Sequence, residues 1–153
     1  MKITSLFLSL AFLVHVTSLK SAEIEYSLIE KEVMQVLDDF YTTFNAMDGE
    51  AHANVYHYPT FRLVKGNMIE WDTPDKIIES RKKNAWANFP KTGWVKTVWV
   101  ERNIVQMSET VVHVATKFQR LRKDESVILT GESMHVLIKK DGRWGIKLRS
   151  SFL

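Results

Sequence analysis

The chain has 153 residues, no cysteine and no internal repeat, which fits one domain and excludes stabilisation by disulfides. The net charge of +3 includes Lys2 and Lys20; without those two it falls to +1, and no basic run interleaved with aromatics points to nucleic acid. Aromatics make up 11% of the residues, so they must carry much of the core.

Residues 1–22 stand apart. Lys2 gives a positive start, Ile3 to Val16 is mostly apolar, and Val16-Thr17-Ser18 or Lys20-Ser21-Ala22 could end the segment. This is the pattern of a secretory signal cleaved between Ser18 and Glu23, too short for a typical transmembrane helix. The alternative is an uncleaved N-terminal anchor. Export would make residues 23–153 a secreted or periplasmic domain, with no membrane contact after cleavage.

Ile24 to Met47 has helical period, with Ile29, Val33, Val36, Leu37, Phe40 and Phe44 on one stripe. Asp48-Gly49 breaks it, Glu50 to Tyr56 can form a short helix, and Tyr58-Pro59 ends that helix. Phe61–Val64 and Met68–Trp71 form a small hairpin around Lys65-Gly66-Asn67. Thr73 as N-cap and Pro74 at the first helical position start a helix that runs to about Asn88. Phe89 to Gly93 reads as a loop. Four long strands follow: Trp94–Met107, Val111–Arg122, Val127–Lys140 and Arg143 to Phe152.

Asp141-Gly142 suits a two-residue type I′ turn, which pairs Leu137 with Ile146, His135 with Leu148 and Ser133 with Ser150. A four-residue loop, Lys123 to Ser126, pairs Val112 with Leu137, Val114 with His135, Thr116 with Ser133 and Phe118 with Gly131. Stacked, these pairs give one sheet face without charge and one amphipathic face. The helices should cover the uncharged face, an α+β arrangement.

Inside that uncharged face, Thr116, Ser133 and Ser150 form a polar row beside His135. Hydroxyls and an imidazole in an apolar cavity are the usual pattern of a ligand site, here for a small apolar ligand. The bland reading is that the hydroxyls bond locally and His135 is a satisfied core histidine. Glu101 faces Thr116 if Ser108-Glu109 is a two-residue loop; Arg102 does if the loop has three residues. A carboxylate there would be a candidate general base alongside His135. An arginine would bind a carboxylate or phosphate. Tyr58, Arg62, Trp71, Trp86 and Trp99 are candidates for the cavity mouth, although tryptophans are more often core. His52 and His57, five apart, match no metal pattern, and nothing implies a cofactor.

Two stretches, Phe40-Tyr41-Thr42-Thr43-Phe44-Asn45-Ala46-Met47-Asp48 and Asp141-Gly142-Arg143-Trp144-Gly145-Ile146, resemble the nuclear transport factor 2-like superfamily, with its ketosteroid isomerases and SnoaL-like cyclases. The resemblance implies a cone: a curved antiparallel sheet wrapped around N-terminal helices, its interior the ligand pocket. It also implies isomerase-, cyclase- or hydratase-like acid–base chemistry as one use of that pocket. A non-catalytic dimerisation or accessory module with a filled cavity is the other. No catalytic residue is carried over by motif. Relatives commonly dimerise through the outer sheet face, where His113, Ala115, Met134 and Val136 form an apolar centre rimmed by Lys117, Glu132, Lys147 and Arg149.

Overall fold

The computed structural model describes residues 23–152 in full and the backbone of residues 4–22. The leader expected over residues 1–22 lies outside the fully described residues. The elements are α1 (Thr4–Asn45), α2 (Gly49–Asn54), β1 (Tyr56–Val64), β2 (Asn67–Trp71), α3 (Pro74–Lys83), α4 (Ala85–Thr92), β3 (Trp94–Met107), β4 (Val111–Arg122), β5 (Val127–Lys140) and β6 (Arg143–Phe152). The strands form one sheet in the order β2-β1-β6-β5-β4-β3.

The apolar stripe of α1 lies on the sheet, with Ile29, Val33, Leu37, Phe40, Tyr41 and Phe44 buried. Polar clamps fix the helix along its length. Asn45 bonds both the N–H and the carbonyl of Thr97 (2.8 and 2.9 Å). Trp99 donates to the Leu37 carbonyl (3.0 Å), Arg102 pairs with Asp38 (2.6 Å), and Trp144 and Lys139 share Glu32 (3.0 and 3.2 Å). Asp48 caps α2 by accepting from the Ala51 N–H at 3.0 Å, satisfying a donor that the first turn leaves free.

The long strands have the limits read from the sequence, and their curvature has a visible cause. Val95, Val100 and Val105 are each skipped in the β3–β4 ladder. Bulges at five-residue spacing bend β3 along its whole length, and the three valines point into solvent. Through these bulges Arg102, not Glu101, faces Thr116; Glu101 faces Lys117.

Both tight hairpins use positive φ where the sequence supplies it. Asp141 and Gly142 have φ 52° and 77°, and Lys65 and Gly66 have 50° and 77°. The four expected β4–β5 pairs are all present. In β5–β6, Leu137 faces Ile146 as expected, but Lys147 is then skipped. Beyond it His135 faces Arg149, Ser133 faces Ser151 and Met134 faces Ser150. One extra residue moves every later side chain to the other face. The inner face therefore gains Arg149 and Ser151 and loses Leu148, Ser150 and Phe152. The uncharged face expected from the sequence is corrected here: it carries charge.

The bulge is stabilised from β1, which lies on the other side of β6 and runs parallel to it, the one departure from an antiparallel sheet among the described strands. The Thr60 hydroxyl reaches the carbonyls of Ile146 and Lys147 (3.4 and 3.2 Å), groups that the broken ladder would leave without a donor. The Lys147 ammonium bonds the Pro59 carbonyl. Three local expectations also change. The short helix ends at Asn54, and β1 begins at Tyr56 and runs through Tyr58-Pro59. The helix after Thr73 breaks at Asn84 (φ −109°, ψ −80°), and α4 runs through the expected Phe89–Gly93 loop until Gly93 at φ 73°. Phe89 draws α4 inward by stacking on Trp94 at 4.2 Å.

β1 and β6 approach closely at Gly145. A Cβ there would lie 2.7 Å from the His57 ring, which is held by the Arg143 carbonyl at 2.9 Å. Gly145→Ala should therefore destabilise the fold by about 1–3 kcal/mol, as overpacking does. Urea unfolding will show it as a lower midpoint; an unchanged midpoint would mean the ring moves aside freely.

Candidate functional site

Four of the expected residues meet inside the cone. The Thr116 hydroxyl donates to the Ser133 carbonyl at 3.0 Å and lies 3.2 Å from His135 Nδ1. Its single proton is used on that carbonyl, so it accepts from Nδ1–H, and His135 Nε2 carries the lone pair. Nε2 is buried and has no partner. Trp99 packs against His135 (5.8 Å) and Tyr41 (4.0 Å), so it is a wall of the core. The local hydroxyl bond is what the bland reading required; the unpartnered imidazole nitrogen is not.

The remaining candidates separate. Trp86 is buried against Phe44 and His52, and its indole N–H makes no hydrogen bond. Tyr58 donates to the Ala53 carbonyl at 2.8 Å, and burial raises its phenol above the ordinary range. Ser150 faces outward beside Met134, and Ser151 takes its inner position. Glu101 is exposed on the outer face. Arg102 bends to α1 and is spent on Asp38.

Arginine dominates the interior. Arg62 on β1 lies beside Arg149 on β6 in the parallel ladder. Arg120 on β4 and Arg81 on α3 complete the group, and burial together with the other arginines lowers Arg62 to about 10 and pushes Arg120 and Arg149 down as well. Neutral groups hold these cations. Arg149 donates twice to Ser133 Oγ (3.2 and 3.0 Å) and lies over Phe40 and Phe118. Arg120 lies over Phe89 at 5.0 Å. Arg81, buried, donates to His52 Nε2 (3.3 Å) and the Tyr56 hydroxyl (3.0 Å) and lies over Trp71 at 5.2 Å.

The acids are elsewhere. All 18 aspartates and glutamates fall among the described residues, and every one is exposed. None of the four interior arginines is within salt-bridge distance of a carboxylate among the described residues. Sequence reading named Arg62 as a mouth candidate but put no charge on the face that Arg120 and Arg149 share. Arg120 was legible, being in step with Phe118 and Thr116 along β4. Arg149 was hidden by the bulge, and Arg81 by its place in a helix whose last turn is basic throughout.

Six buried side-chain polar atoms have no partner among the described residues: Tyr41 Oη, Arg62 Nε, Trp86 Nε1, Arg120 Nε, His135 Nε2 and Ser151 Oγ. They come from six different elements and all belong to the cone's inner side. Such atoms are rare in native interiors, where a bound water, ion or ligand usually completes them. Tyr41 stays a phenol, because burial raises it to about 12 against the pull of Arg149 and Arg120. A cavity of about 430 Å³ opens between the β1–β2 hairpin and α3, with Arg62, Trp71 and Arg81 in its wall. Its volume suits a small organic molecule. No three His, Cys, Asp or Glu side chains gather as metal ligands among the described residues.

A curved sheet closed over a long helix, with polar groups converging inside, defines an α+β cone of the nuclear transport factor 2-like kind. The chain belongs to the family described as NTF2-like protein (DUF6841), which it matches over residues 30–148. No curated protein matches it. Solved structures share the fold at low identity. An NTF2-like protein with a cystatin-like fold from Novosphingobium aromaticivorans has TM-score 0.69 at 9% identity, over 86% of this chain and 85% of that one. A candidate scytalone dehydratase from the same organism gives 0.62 at 15%, over 84% and 86%. A candidate ketosteroid isomerase from Shewanella frigidimarina gives 0.58 at 13%, over 77% and 92%.

The interior histidines make stability depend on pH. Burial holds His52 and His135 well below the ordinary imidazole range, with Arg81 adding to the effect on His52 and Arg149 on His135. Below about pH 6.5 the unfolded chain takes up protons that the folded chain refuses. Stability should therefore fall as pH drops through 6.5 to 5.5, at up to about 1.4 kcal/mol per pH unit for each histidine. Urea midpoints across that window test it, and a flat profile would mean both rings protonate in the native state.

Proposed function

We propose that this is an exported small-molecule-binding domain whose ligand sits inside the cone. The observation that carries the reading is the set of six unpartnered polar atoms from six elements. Arg62 Nε, Arg120 Nε and Trp86 Nε1 can only donate, His135 Nε2 accepts, and the Tyr41 and Ser151 hydroxyls can do either, so the expected ligand carries acceptor groups rather than being purely apolar. The fold family and the isomerase- and dehydratase-like neighbours support a pocket of this kind. Binding is favoured over carboxylate-based proton transfer, because every acid is exposed and His135 is the one interior base with a free lone pair. Export rests on the leader pattern alone.

A homodimer through the outer sheet face is part of the same reading. What supports it is a centre of half-buried Met134, Val136, Ala115 and His113 beside the Lys117–Glu132 pair, with exposed Val100 and Val105 on the neighbouring strand. Met134→Glu should give a monomer in light scattering where the wild type gives twice that mass. A monomeric wild type would remove the assembly without touching the pocket.

Native mass spectrometry of protein purified from its own host tests the pocket. The expected result is a retained small mass that is lost on denaturation. Ser133→Val, which removes the acceptor that holds Arg149, should lose that mass when both proteins are measured well below their thermal midpoints. The variant's midpoint should itself fall, because bonds from a charged donor are lost, worth about 1.5–3 kcal/mol. A bare wild-type mass, unchanged after incubation with host extract, would sink the reading.

A further inference from the structure

The charge balance of the cone says more about what fills it. Four of the chain's seven arginines turn inward and none of its 18 acids does. The inward four come from β1, α3, β4 and β6, so no local sequence feature accounts for their meeting. Their partners on the protein are neutral: Ser133, His52, Tyr56 and the faces of Phe40, Phe118, Phe89 and Trp71. These groups orient a guanidinium without cancelling its charge. Two of the four, Arg62 and Arg120, keep a buried Nε–H with no acceptor at all. Grouped like charges repel and lose hydration, a cost that a bound counter-anion offsets.

We propose that the cone is a receptor for a small organic acid, whose carboxylate or phosphate oxygens lie among Arg62, Arg81, Arg120 and Arg149 and whose flat apolar body lies against the aromatic wall. The guanidinium fork matches either oxyanion, two parallel N–H bonds to two oxygens. The Tyr41, Ser151 and Trp86 donors can complete its hydrogen bonds. The entry is the cavity between the β1–β2 hairpin and α3, where Arg62 and Arg81 flank Trp71. A neutral or cationic molecule would leave the four charges unpaired, so charge sets specificity and the aromatic wall sets shape. This inference rests on the cone being the ligand seat and adds the class of ligand.

The test compares acids with neutral counterparts of the same shape: benzoate with benzamide, cinnamate with cinnamamide, phenyl phosphate with phenol, and inorganic phosphate alone. Full-length protein is titrated at low ionic strength, with tryptophan fluorescence and thermal midpoint as readouts. At least one acid should bind about tenfold or more tighter than its neutral counterpart, the minimum for a charge-assisted bond. Carboxylate and phenyl phosphate arms separate the two oxyanions, and either one binding supports the proposal.

Arg62→Met and Arg120→Met supply a signature that a structural role would not give. Each should weaken acid binding about tenfold or more while raising the thermal midpoint of the empty protein, because an uncompensated charge has been removed. A lower midpoint with acid binding unchanged in both variants would make the arginines structural and overturn the proposal. Amides that bind as tightly as acids would also overturn it, while leaving the cone as a small-molecule site. Inorganic phosphate matching every organic acid would overturn the organic body. No response to any probe would overturn the acid class; a retained neutral mass in native spectrometry would then show that the pocket reading survives.

Discussion

Phe40 is the side chain on which the cone closes. It is almost fully buried, and its ring meets those of Tyr41, Phe44, His52, Tyr56, Trp99 and His135 within about 6.3 Å, with the Arg149 guanidinium 5.6 Å above it. Through this one residue α1 touches α2, β1, β3, β5 and β6. A core in which one aromatic ring bridges so many elements has little freedom to slide, since each contact fixes the ring against the others. The polar clamps at Asn45, Trp99, Arg102 and Glu32 then set the helix register around it.

Around that hub the interior divides by depth. Near the middle of the sheet, Val112, Val114, Leu137 and Ile146 give a dry layer with no exposure. Towards the open end come His135, level with Arg149 and Arg62, then Thr116, Ser133 and Ser151, with Arg120 beyond them on β4. Hydrophobic burial at the closed end supplies the stability that lets the open end hold charges with no acid opposite. Giving up local stability in this way is what proteins do where function requires it. His52 belongs to this division: kept neutral by burial and by Arg81, it can accept from Arg81 and donate to Thr43 (3.2 Å) without adding a fifth charge.

The bulge at Lys147 links fold to site. It depends on Thr60, which lies 86 positions before Ile146, and on the parallel docking of β1. Removing one residue from β6 would return Leu148 to the interior and send Arg149 outward. Through this single backbone irregularity Arg149 joins the other three arginines inside the cone. The three valine bulges in β3 act differently, bending the sheet so that Trp94, Thr97 and Trp99 reach α1 and α4.

The limits of β3 to β6, the positive-φ turn at Asp141-Gly142 and the β4–β5 register from Val112 to Phe118 were legible in the chain, whereas the bulge at Ile128 near the Lys123–Ser126 loop was not. The legible features are local: period-two alternation and the Asp141-Gly142 turn need no distant partner. The sequence also placed Thr116, Ser133 and His135 on one face, because β4 and β5 pair there without interruption. That Arg149 and Ser151, rather than Leu148 and Ser150, join them depends on the fold, since the bulge is held by a strand far away in the chain. So do the inward turn of Arg81 and the continuation of a helix through Phe89, because each follows a partner, Tyr56 and His52 for one and Trp94 for the other. The charge of the interior is the sum of such choices. A chain that reads as an apolar pocket therefore folds into a basic one.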